Sequence, residues 1–85
     1  MKRTNVTYGQ LDRVLKSLGF SRRLLTKEPP AYRYVHKPSG ALITVPPFPE
    51  SDRVLDYHLV ATRFILDNYG IADPTEFAAK LQRAG

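Results

Sequence analysis

The chain has 85 residues, 42% hydrophobic and 25% charged, with 13 lysines and arginines against eight acids and no cysteine. This is the composition of one ordinary globular domain, residues 1–85 with a core over about 7–82, and it excludes a disulfide-stapled miniprotein or a thiolate site. No metal or cofactor is expected from two histidines, His36 and His58. MKRTNVTYGQ lacks the apolar run of a signal peptide, and no stretch nears the roughly 18 apolar residues of a membrane span, so a cytoplasmic protein without membrane contact is expected.

The charge is unevenly placed. Residues 1–40 carry nine basic and two acidic side chains, net +7, and residues 41–85 carry four and six, net −2. Basic charge gathered in one half points to a polyanionic partner.

In chain order, Thr7-Tyr8-Gly9-Gln10 has the form of a capping box. Leu11, Val14, Leu15 and Leu18 then recur at helical spacing, which predicts a helix over about Tyr8–Leu18 closed by Gly19, with Phe20 folding back. Phe20–Lys27 alternates as a short strand and ends at Glu28-Pro29-Pro30, where no ladder donor is available. Ala31–Val45, AYRYVHKPSGALITV, reads as a hairpin of β-branched and aromatic residues around a Lys37-Pro38-Ser39-Gly40 turn. A four-residue loop sets Tyr34 opposite Ile43; a bulged three-residue loop sets Val35 there instead.

Pro46-Pro47-Phe48-Pro49 is a stiff connector. A second helix is expected over roughly Arg53–Tyr69, capped by Ser51 or Asp52 and ended by Gly70. Its broad apolar sector includes Val54, Leu55, His58, Leu59, Thr62, Ile65 and Leu66. Asp73-Pro74-Thr75-Glu76 starts a third helix with Phe77, Ala78 and Leu81 inward. The order α-β-β-β-α-α predicts a two-layer α+β domain, a three-stranded antiparallel sheet with the helices on one face.

These segments resemble the HicA toxin family. Leu11–Phe20 is similar to that family's first helix with its L-x-x-x-G-[FW] ending. His36-Lys37-Pro38-Ser39-Gly40 is similar to its H-P-[DS]-G turn, with one residue more. Thr44-Val45-Pro46 resembles its T-V-P strand exit, and Leu59–Ile71 with Glu76-Phe77 its closing segment. The resemblance implies a double-stranded-RNA-binding-domain-like fold, a place in a type II toxin–antitoxin system, and RNA and a HicB-like antitoxin as partners. It implies metal-independent mRNA cleavage only where the family's G-S-H triplet is present. Here that neighbourhood reads Lys27-Glu28-Pro29-Pro30-Ala31-Tyr32, so no catalytic histidine carries over and endoribonuclease activity is expected to be weakened or lost.

Duplex RNA is recognised through phosphates and 2′-hydroxyls, which call for lysine and arginine on a shaped surface. The candidates are Lys16, Arg22, Arg23, Lys27, Arg33 and Lys37. Tyr32 and Tyr34 can stack on exposed bases or pack the sheet against a helix. Histidine suits proton transfer near neutral pH, which makes His36, with Lys37 and Tyr34, the candidate catalytic group; solvation at a turn is its ordinary alternative. His58, among apolar positions, reads as structural. The competing function is a non-catalytic module that docks a protein through its sheet face or edge strand.

Overall fold

Eight elements make up the fold in the computed structural model, which describes residues 2–84: β1 (Arg3–Thr7), α1 (Tyr8–Ser17), β2 (Ser21–Leu25), β3 (Ala31–His36), β4 (Ala41–Val45), β5 (Arg53–Leu55), α2 (Asp56–Asn68) and α3 (Pro74–Ala84); all but the exposed β2 contribute to one hydrophobic core. The fold is α+β, with a three-stranded antiparallel sheet in the order β2-β3-β4 and a separate two-stranded sheet of β1 and β5.

The start of α1 follows from its sequence. Thr7 Oγ1 accepts from the Gln10 amide at 3.2 Å and Gln10 Oε1 accepts from the Thr7 amide at 2.8 Å, which closes the capping box. Two further first-turn amides still need acceptors. Tyr8 and Gly9 donate to the carbonyls of Asp52 and Glu50, each at 2.9 Å. Gly9 permits this approach, because a Cβ there would sit 3.2 Å from the Glu50 oxygen. At the other end the Phe20 amide reaches back to Leu15 and the Gly19 amide to Lys16, a Schellman closure with Gly19 at φ +97°.

The hairpin has the four-residue loop: Tyr34 pairs with Ile43 and Tyr32 with Val45. That register turns Tyr34, Ala41, Ile43 and Val45 inward, where all are buried, and leaves Leu42 and Thr44 outward and exposed. Leu11, Val14 and Leu15 of α1, Leu66 of α2 and Phe77 and Leu81 of α3 complete the core, so the helices cover one sheet face. Truncating a fully buried leucine such as Leu15 typically costs about 2–5 kcal/mol.

The second helix departs from the sequence expectation. It begins at Asp56, and Arg53–Leu55 form β5, paired antiparallel with β1. Its N-cap is Leu55, without a side-chain cap bond, so neither Ser51 nor Asp52 caps it. The reason is tertiary. The Asp52 carbonyl is held by the α1 start, the Asp56 amide donates to Lys2 at 3.0 Å, and Val54 is buried, which leaves the segment extended. In α3 Asp73 Oδ1 accepts from the Glu76 amide at 2.8 Å as its spacing predicts. Ala78, however, is exposed; the inward row is Phe77, Leu81 and Ala84.

Gly19→Ala is expected to lower stability by about 1–2 kcal/mol, the usual cost of a left-handed conformation for a residue with a Cβ. The new methyl would meet the His36 ring at an ordinary contact distance of 3.4 Å, so the cost lies in the backbone. A urea titration followed by circular dichroism reads the loss; an unchanged midpoint would mean the α1 closure is not held in this form.

Candidate nucleic-acid interface

The β2-β3-β4 register sorts the basic residues between the two sheet faces. Arg23 pairs with Arg33 across β2 and β3, and Arg33 in turn with Thr44, so both arginines stand on the outer face. Lys37 joins them from the turn, lining a shallow groove of about 390 Å³ with Leu25, Val35 and Leu42. Lys27, just past β2, lines the adjoining depression together with Arg33. Like charges set directly opposite in a ladder repel. Among the described residues no carboxylate lies within ion-pair distance of any of these four side chains; both ion pairs found use Asp12.

Lys16 and Arg22 belong to a different arrangement. Asp12 of α1 is only 6% exposed, and its carboxylate holds Tyr34 Oη at 2.7 Å, Lys16 Nζ at 3.0 Å and Arg22 at 3.1 Å. Burial pushes the Asp12 carboxyl up, but the Tyr34 hydroxyl, then Lys16 and Arg22, outweigh it and hold the group below its ordinary value. The Tyr34 hydroxyl moves well up, through burial and then through donating to that carboxylate. Arg22 also lies over the Tyr32 ring, 4.5 Å from its centroid. Asp12, Arg22 and Tyr32, with Phe48 and Glu50, line a cleft of about 240 Å³, and Arg22 borders the outer groove as well.

The tyrosines therefore divide. Tyr34, 3% exposed, packs inward and offers no face to a base, because its alternating position points at α1. Tyr32 is half-buried at the cleft with Arg22 against it.

His36 is held within its own turn. Ser39 Oγ lies 2.7 Å from its Nδ1 and also accepts from the Ala41 amide, and the ring leans on Phe20 at 5.1 Å. Among the described residues no side-chain hydrogen bond joins His36 to Lys37 or Tyr34; the Tyr34 hydroxyl donates to Asp12 instead. His58 pairs with Tyr8: the Tyr8 hydroxyl lies 2.8 Å from Nδ1, and burial lowers the histidine's proton affinity. No three metal-ligating side chains gather among the described residues.

Asp12 was the residue to find. It follows the buried Tyr8 by four, precedes the buried Leu15 by three, and precedes Lys16 by four, which puts a carboxylate at the edge of the apolar stripe beside a cation. Comparisons with family models, curated proteins and solved structures return no match.

Asp12→Asn should cost about 1–3 kcal/mol, as a charged hydrogen-bond acceptor is removed from a buried site. Because Asp12 titrates lower in the fold than unfolded, its contribution is present above its ordinary value of 3.8 and drains as pH falls through the folded value. The unfolding midpoint of the wild type should therefore fall more steeply below about pH 4 than that of the variant. Parallel acid limbs would remove Asp12 as the anchor.

Proposed function

We propose that the chain is a HicA-like, toxin-type protein that binds RNA on the outer face of β2-β3-β4. The observation that supports it most is the Arg23–Arg33 pair: two cations opposite one another, joined by Lys37 and Lys27, without a carboxylate partner within reach. A fold gains nothing from that repulsion, whereas a phosphate chain laid across the face relieves it. Arg22, which borders both the groove and the cleft, offers a route round the β2 edge toward Tyr32. The reading assigns no cleavage step. The strand that follows Pro30 lacks the family triplet, and Ser39 and Phe20 occupy the surroundings of His36. No described helix is long and apolar enough to cross a membrane, and we place the protein in the cytoplasm with its RNA.

One observation favours a second reading. Leu42, half-exposed at 50%, and Val35 lie on the same face as the arginines. A HicB-like antitoxin that brings acidic and apolar side chains would fit this mixed surface and compete with RNA for it.

Replacing Arg23 and Arg33 together by alanine should weaken binding to structured RNA and reduce the salt slope of log K by roughly 1.5–2, as two phosphate contacts are lost. Arg83→Ala, on α3, serves as the control. The double variant should keep its stability or gain a few tenths of a kcal/mol from lost repulsion. Filter binding at several salt concentrations measures this, and a slope equal to the wild type's sinks the reading.

Incubated with RNA in chelator, the protein is expected to leave the RNA intact. Cleavage that disappears in His36→Ala would reinstate that histidine.

A further inference from the structure

The inner face of β2-β3-β4 is covered at one end and open at the other. At the covered end α1 lies on Tyr34 and holds it through Asp12. At the open end Leu24 pairs with Tyr32, and Tyr32 with Val45; Leu24 is 51% exposed and Tyr32 half-buried. Here the connector of residues 46–50 forms a second wall, and the two enclose the cleft of about 240 Å³. The connector is pinned from behind. Phe48 stacks on Tyr8 at 4.9 Å, and the Glu50 carbonyl accepts from the Gly9 amide. A cleft whose walls are fixed in advance costs a ligand little ordering.

The lining narrows what fits. The cleft is smaller than the roughly 300–1,000 Å³ of pockets that take drug-sized molecules, which suits one ring. Its surfaces are flat: the Tyr32 ring with the Arg22 guanidinium 4.5 Å from its centroid on one side, Pro46, Phe48 and Pro49 on the other. Among the described residues Arg22 donates one hydrogen bond, from Nη1 to Asp12, so its other N–H groups can meet acceptors on a ring edge. Because Arg22 is set against Asp12, with Glu50 also bordering the cleft, a neutral ring fits better than a phosphate. A nucleobase is neutral, planar and carries acceptors on its edges; a phenyl ring lacks them.

The cleft is also continuous with the outer basic face. Arg22 lines both, and β2 is the edge of its sheet, so only one strand separates them. A base stacked and paired within a helix cannot turn round that edge, whereas an unpaired base can be splayed out and stacked on aromatic or guanidinium planes. We infer that the cleft receives a single unpaired nucleobase, which extends the Tyr32–Arg22 stack, from an RNA whose helical part lies on the outer face. The inference rests on the RNA-binding reading and narrows its substrate class to helices interrupted by a bulged or looped nucleotide.

Filter binding of the full chain to an RNA stem of about 16 base pairs, with and without one bulged adenosine at its centre, tests it. The wild type should bind the bulged stem about fivefold tighter or more, the effect of one stacked base. Tyr32→Leu, which keeps apolar bulk and loses the ring, should abolish that preference, and Tyr32→Phe should keep it. Equal affinity of the wild type for the two stems overturns the inference, and so does a preference that survives in Tyr32→Leu. The wild-type comparison decides alone should Tyr32→Leu fail to fold. The Arg23 and Arg33 double alanine variant, measured on the same stems, separates the two readings. A lowered salt slope together with equal affinities removes this inference only; an unchanged slope, or no binding of either stem, removes both.

Discussion

A single buried carboxylate joins the helical layer to the sheet. Asp12 sits on α1, yet its three partners come from α1, β2 and β3: Lys16, Arg22 and Tyr34. A carboxylate with so little exposure is costly unless it is fully paired, and here every contact also fixes geometry. The Tyr34 bond sets the height of α1 over the middle strand. The Arg22 bond draws an edge-strand cation back over Tyr32 and so shapes the cleft. The interaction specifies how the layers seat as much as it stabilises them.

The elements with strong local signals were legible in the chain. α1 carries its cap, its apolar stripe and its closing glycine within fourteen or so residues, and each forms the contact its spacing implies. The hairpin was legible too, though its register required the inward burial of Tyr34 and Ile43 to settle it. What escaped is non-local. β1 and β5 are short and pair across a separation of about fifty residues, and nothing in RTNVT or RVL alone announces a partner. The apolar residues of Arg53–Leu55 continued the helical pattern of α2, and tertiary bonds to Asp52 and Asp56 overrode it.

The candidate site was legible in composition and not in arrangement. Nine basic residues in the first half marked the charge, six of them as candidates, but strand alternation decides which share a surface. Arg22 and Arg23 are neighbours in sequence and diverge to opposite faces, one toward Asp12 and the other toward Arg33. Tyr32 and Tyr34, two apart, point to the same side, and only the inner one meets α1. The expected apolar sector of α2 does face the core at Leu59, Thr62, Ile65 and Leu66, and Tyr57, Val60 and Phe64, which lie outside that sector, are exposed.

The manner in which α1 begins has a bearing on how the molecule meets anions. A helix N-terminus is ordinarily a ready receptor for phosphate, because its first amides are unpaired and the dipole is positive there. In this chain the amides of Thr7, Tyr8, Gly9 and Gln10 are spent on Gln10, Asp52, Glu50 and Thr7 in turn, within the protein itself. The first helix therefore has no backbone receptor to lend to a nucleotide. On the RNA-binding reading proposed above, α1 thus leaves phosphate contacts to arginine and lysine side chains, whose attraction is screened by salt.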